Sequence, residues 1–139
     1  MRRIRLLALI TLGFLGVTSI MGGIPLMMDP SGQLIHMPLS LLEHSPFRTF
    51  LIPGFLLFAT NGLLSICVFM TALRRSKGYA NLVVFQGWVI AGWITVQVFM
   101  LQTVVWLHFV YWGVGLVLIV CGLVLRRSER PDRALVEAR

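Results

Sequence analysis

The sequence has few charged residues, and long parts of it have none. Of 139 residues, 12 are Lys or Arg and 5 are Asp or Glu, while 58% are hydrophobic. No charged residue occurs in residues 6–28, 49–73 or 78–125. A soluble domain of this size cannot bury so much apolar surface, and each stretch exceeds the roughly 18 residues of a transmembrane candidate. The missing charge therefore excludes a soluble fold and predicts an all-α integral membrane protein.

The third uncharged stretch is too long for a single crossing. As one helix its 48 residues would extend about 72 Å, against a hydrocarbon core of about 30 Å. It contains a polar and aromatic segment, Gln102 to Trp112, whose indole, imidazole and phenol groups favour the membrane interface. We therefore expect a turn there and one four-helix domain over residues 1–139. The predicted spans are 5–24, 49–73, 80–102 and 106–125, followed by a tail at 126–139.

The net charge of +7 is concentrated on one side of these spans. Eleven of the twelve cations fall before the first span, between the second and third, or after the fourth. The positive-inside rule then places both termini in the cytoplasm, in a plasma or inner membrane. This distribution argues against nucleic acid as a partner and for the lipid bilayer. The anchoring residues are Arg2, Arg3, Arg5, Arg74, Arg75, Lys77, Arg126 and Arg127.

The first outer loop, residues 25–48, has a short apolar segment of its own. Residues 38–44 begin with a proline and are too few to cross a bilayer, so they predict a short interfacial helix. In the second span, Pro53 cannot donate a backbone hydrogen bond and predicts a bend near Gly54.

No ionisable side chain lies inside a predicted span, which argues against proton-coupled pumps. There is also no carboxylate pair, and no base beside a nucleophile, for hydrolysis. Cys67 and Cys121 form no C-x-x-C motif and are expected to be buried free thiols. The sequence thus favours a protein that is not an enzyme, and it predicts no cofactor.

One semi-polar stripe stands out within the spans. Asn61 lies at the centre of the second uncharged stretch, where an unpaired amide would cost several kcal/mol. Gln86, Trp93 and Gln97 share one face of the third span at a similar depth. They predict either hydrogen bonds between helices or the polar groups of a ligand pocket, and the sequence leaves both open.

All three histidines fall on the predicted outer side: His36, His44 and His108. Together with nearby methionines they form a nitrogen and sulfur set that Cu(I) accepts. Their spacing matches no fixed ligand motif, so packing at the interface is the alternative interpretation.

Small residues lie one helical turn apart at two places, Ser19 to Gly23 and Gly87 to Ala91, a pattern typical of close helix contacts. The first functional hypothesis is therefore an accessory or scaffold subunit that packs against a membrane-protein partner or a second copy. The second is a binder or carrier of a lipid-soluble or small neutral molecule. The third is an outer-face metal or redox accessory role.

The four predicted spans, the cytoplasmic ends and the long first outer loop resemble DoxX-like and other small bacterial four-helix membrane proteins in architecture. The run from Ser45-Pro46-Phe47 through Pro53-Gly54 to Asn61-Gly62 also resembles uncharacterised bacterial membrane proteins of this size. The resemblance implies a bacterial inner-membrane bundle and assigns no role to any residue.

Overall fold

The computed structural model describes residues 1–137, with side chains as far as Glu129. Four helices in this part of the chain are long and apolar enough to cross a membrane, which confirms the predicted all-α membrane bundle. They are α1 (Arg2–Met28), α2 (Leu51–Leu73), α3 (Tyr79–Leu101) and α4 (Trp106–Glu137). The apolar part of α4 lies within Trp106–Glu129.

Short connections make neighbouring helices antiparallel: residues 74–78 join α2 to α3, and residues 102–105 join α3 to α4. α1 packs along α2, α3 packs along α4, and contacts of α1 with α4 and of α2 with α3 complete the bundle. One end, here called the basic end, carries the predicted anchors Arg2, Arg3, Arg5, Arg74, Arg75, Lys77, Arg126 and Arg127. The opposite end, formed by residues 29–50 and 102–105, is called the loop end.

Glycines allow the close approach of helices inside the bundle. A Cβ atom on Gly23 of α1 would lie 2.8 Å from the carbonyl oxygen of Gly54 on α2. A Cβ atom on Gly87 of α3 would lie 2.8 Å from the carbonyl oxygen of Gly115 on α4. Any larger side chain at these positions would push the backbones apart, so both predicted small-residue faces are used within the bundle.

Helix α2 is not α-helical throughout. Leu51–Leu56 and Leu64–Leu73 are α-helical, and Leu57–Leu63 between them is a π-helix. Because α2 begins at Leu51 and not at residue 49, Pro53 lies in its first turn, where backbone N–H groups have no intrahelical acceptor. The proline therefore leaves no helical hydrogen bond unmade, and the irregular turn occurs further along, around Asn61.

The segment between α1 and α2 is short but ordered by hydrogen bonds. It contains two 3₁₀ turns, Gln33–Ile35 and Leu39–Leu42, and the second corresponds to the predicted interfacial helix. The Asp29 carboxylate accepts hydrogen bonds from the Ser31 hydroxyl at 2.6 Å and from the Leu34 N–H at 2.9 Å. The segment packs back against the bundle, since Leu39–Leu42 contacts α3.

One of the two predicted buried thiols is wrong. Cys67 is exposed on the surface of the bundle, whereas Cys121 is buried as predicted. The predicted tail is largely helical, because α4 continues to Glu137, and residues 138 and 139 lie outside the described residues.

Candidate functional site

A cavity of about 380 Å³ lies at the loop end, between the four helices. This volume is within the range of small-molecule sites, about 300–1,000 Å³. Its apolar lining consists of Gly22, Met37, Leu41, Leu57, Ile90, Ile94, Leu101, Val105 and Leu107. The other lining residues have a hydroxyl, amide, indole or imidazole group; they are Thr18, Ser19, Trp93, Gln97, Thr103, His108 and Tyr111.

Small side chains on α1 leave room for the cavity. Thr18, Ser19 and Gly22 face it from α1, where larger apolar residues would have filled the space. The Thr18 hydroxyl donates to the carbonyl of Phe14 on its own helix at 2.8 Å, so it is already satisfied. From the segment before α2, Met37 contributes to the lining at the loop end.

His108 is the most informative polar group of the cavity. It is only 4% exposed, and its Nδ1 accepts a hydrogen bond from the N–H of Val105 at 3.0 Å. The backbone N–H of His108 donates a hydrogen bond to the backbone carbonyl of Val105, also at 3.0 Å. The His108 side chain thus provides an acceptor for the backbone N–H of Val105, the residue that precedes α4. The third helical residue of a capping box makes the same contact. Because Nδ1 is an acceptor, the neutral imidazole carries its proton on Nε2.

Several other polar groups of the cavity have no partner in the described part of the chain. The Nε1–H of Trp93 is buried without an acceptor. The hydroxyl of Ser19, a residue that is 3% exposed, and the amide of Gln97 make no hydrogen bond there either. The ring of Tyr111 stacks on Phe14 with centroids 6.2 Å apart. Buried polar groups are normally hydrogen-bonded. The unpaired groups of this cavity can therefore form hydrogen bonds with a bound molecule.

The four residues of the predicted polar stripe do not form one site. Trp93 and Gln97 line the cavity. Asn61 and Gln86 are 0% exposed and lie apart from its lining. The side-chain amide of Gln86 donates to the carbonyl of Thr60 at 3.1 Å, and that of Asn61 to the Thr60 hydroxyl at 3.2 Å. The Gln86 hydrogen bond therefore joins α3 to the π-helical turn of α2, whereas the Asn61 hydrogen bond lies within that turn.

The metal hypothesis gains no support from the geometry. Within the described residues, no three or more His, Cys, Asp or Glu side chains group so that they could hold a metal ion. His36 and His44 are exposed in the segment before α2, whereas His108 is buried in α4.

Sequence reasoning missed the cavity roles of Ser19, His108 and Tyr111. His108 and Tyr111 are three residues apart and thus on one face of α4, a signal that was present but was assigned to the interface. Ser19 was assigned to helix packing, because serine in a small-residue pattern usually has that role.

Comparison of the sequence with protein-family models, with curated proteins and with solved structures finds no match in any of the three. The resemblance to DoxX-like proteins therefore stays a prediction, and function is inferred from the cavity.

Proposed function

We propose that this chain is a non-catalytic membrane protein that binds or carries a lipid-soluble molecule in the cavity at its loop end. The observation that carries this proposal is a cavity of about 380 Å³ whose mainly apolar lining includes buried polar groups without partners. Such a lining solvates an apolar molecule and fixes the orientation of its polar part.

The chemistry of the lining supports binding without catalysis. The described residues around the cavity include no Asp, Glu, Lys, Arg or Cys. Acid–base catalysis and nucleophilic catalysis depend on such groups together with a correctly placed partner. His108 supplies the one imidazole among the lining residues, and its Nδ1 already accepts a hydrogen bond from the backbone N–H of Val105.

Filling the cavity tests the proposal. Gly22 lines it, and a Cβ atom there would lie 3.4 Å from Cδ2 of the flexible Leu57 side chain. Gly22→Phe therefore adds a ring at the cavity wall. Gly92→Phe is the matched control, because a Cβ atom on Gly92 has no neighbouring atom within 4 Å.

The readout is photo-cross-linking in lipid nanodiscs with a decyl chain that carries a diazirine and no headgroup. Peptide mass spectrometry then locates the labelled residues. We expect labelling of cavity residues such as Met37 and Leu101 in the wild type and in Gly92→Phe, and its loss in Gly22→Phe. Equal labelling of those residues in all three proteins would contradict the proposal. Mass spectrometry of the organic extract from the same samples would identify a resident molecule.

The accessory-subunit hypothesis is the second candidate. The small-residue faces that suggested it pack inside the bundle, with Gly23 against α2 and Gly87 against α4. A partner would therefore have to use other surfaces. Light scattering of the protein in mild detergent tests this candidate, and a monomer without a co-purifying protein would count against it.

We further propose that the protein resides in the plasma or inner membrane with its basic end in the cytoplasm. The support is the positive-inside rule. Ser40 and Ser76 are exposed at the loop end and the basic end, respectively, and each can be changed to cysteine in a Cys67→Ser background. In intact cells a membrane-impermeant maleimide should label Ser40→Cys and not Ser76→Cys. The reverse pattern would overturn the orientation.

A further inference from the structure

The cavity has a hydrogen-bond donor fixed in place near the loop end. His108 is only 4% exposed, and the Val105 N–H occupies its Nδ1 at 3.0 Å. The imidazole cannot turn over to present an acceptor without breaking this bond at the start of α4. Its Nε2–H has no partner among the described residues. A ligand in the cavity therefore meets a donor there.

A second polar group lies at a similar depth. At 1.5 Å per residue, His108 is about 3 Å from the start of α4 and Gln97 is about 6 Å from the end of α3. Ser19 is about 14 Å from the end of α1 and thus lies deeper. Both residues line the same cavity, so a polar headgroup at the loop end lies beside His108 and Gln97. The deeper part of the cavity, where Ser19 and Trp93 lie among apolar residues, is left for the rest of the molecule.

The charge of the lining restricts the headgroup further. An anion in this cavity would have no cationic partner among the described lining residues, and a cation would have no carboxylate. Burying an unpaired charge costs far more than burying a neutral polar group. An ammonium group has N–H donors and no acceptor, so it could not accept a hydrogen bond from the Nε2–H of His108.

We infer that the cavity binds a neutral lipid-soluble carbonyl compound, such as a ketone or ester, whose oxygen accepts a hydrogen bond from Nε2–H of His108. The Gln97 amide is the second donor to the same headgroup. This inference rests on the proposed function, because it specifies what the same cavity binds.

Four photoprobes that share the decyl diazirine chain test it. One carries no headgroup, and the others end in a methyl ketone, a carboxylate or an amine. In nanodiscs we expect the ketone to label cavity residues several-fold more efficiently than the other three. One hydrogen bond contributes about 0.5–1.5 kcal/mol, which corresponds to roughly a two- to tenfold difference in affinity.

Substitution of His108 should remove only the advantage of the ketone. His108→Phe is expected to reduce ketone labelling to the level of the probe without a headgroup. His108→Gln can accept from the Val105 N–H and can also donate, so it should retain the ketone preference. His44→Phe is the matched control, since His44 is exposed in the segment before α2.

A second pair of variants keeps the test valid if His108→Phe does not fold. Gln97→Leu should reduce ketone labelling by about two- to tenfold. Gln102→Leu should not, because Gln102 is exposed and its amide donates to Phe99 within its own turn.

The outcomes separate the two proposals. Equal labelling by all four probes, or preference for the carboxylate or amine, would overturn the inference, and loss of labelling in Gly22→Phe would then still support the cavity as a binding site. Absence of cavity labelling by the probe without a headgroup would instead contradict the proposed function itself.

Discussion

The side-chain amide of Gln86 on α3 donates a hydrogen bond to the main-chain carbonyl of Thr60 on α2 at 3.1 Å. Thr60 lies within the π-helical turn Leu57–Leu63. In a regular α-helix this carbonyl would accept from the N–H four residues on, whereas π-turns change that pairing and are frequent at functional sites. The contact fixes the depth of α3 relative to α2, and with it the position of Trp93 and Gln97 at the cavity.

Loss of this hydrogen bond should destabilise the bundle modestly. Gln86→Leu removes the donor to Thr60, and contacts of this kind in membranes average about 0.6 kcal/mol, with a maximum near 2. The Gln86 Oε1 atom has no partner among the described residues, so its removal offsets part of the loss. Unfolding titrations in bicelles should therefore show that the free energy of unfolding decreases by at most about 0.6 kcal/mol. Gln102→Leu is the control, and an equal effect of both variants would contradict the prediction.

The positions of the helices could be predicted from the sequence because the bilayer core excludes charge. The third span was predicted at 80–102 and is Tyr79–Leu101. The first was predicted to end at residue 24 and continues to Met28. Pro25 does not end it, because proline is tolerated in membrane helices when neighbouring groups compensate.

The site could be predicted only in part. Trp93 and Gln97 are four residues apart on one helix, so their shared face follows from helical periodicity. The role of His108 depends on the turn at residues 102–105 and on the rotation of α4 against the other helices. The π-helical turn also escaped prediction, because the pattern of apolar residues in α2 is compatible with a regular α-helix.

Removal of one buried hydroxyl should stabilise the protein. Ser65 is 0% exposed, and its Oγ has no partner in the described part of the chain. An unsatisfied buried polar group costs about 1–3 kcal/mol, so Ser65→Ala should raise the melting temperature. Ser128→Ala should not raise it, since the Ser128 hydroxyl donates to the Leu125 carbonyl at 2.8 Å. A lower melting temperature for Ser65→Ala than for the wild type would contradict this prediction.

The contact between Gly23 and Gly54 should not tolerate even one methyl group. A Cβ atom on Gly23 would lie 2.8 Å from the Gly54 carbonyl oxygen and 2.9 Å from the Phe58 nitrogen. Both are backbone atoms, so α1 and α2 must separate, at a cost of about 1–3 kcal/mol. Gly92→Ala meets no atom within 4 Å and should gain up to about 1 kcal/mol in helix propensity. Equal melting temperatures for Gly23→Ala and Gly92→Ala would contradict this packing.

The loop end should lose order at low pH through Asp29. The hydrogen bond from the Ser31 hydroxyl, and then that from the Leu34 N–H, lowers the pKa of Asp29 below its usual value of 3.8. A carboxylate whose pKa is lower in the folded state stabilises that state above pH 3.8 and ceases to do so as the pH falls through the folded value. Below pH 3.8 the Leu34 amide should therefore lose protection from hydrogen exchange, after correction for the pH dependence of intrinsic exchange. In Asp29→Asn the corrected protection should be low at every pH, because the charged acceptor is absent. Constant corrected protection of Leu34 from pH 6 to pH 2 in the wild type would show that the carboxylate does not order this segment.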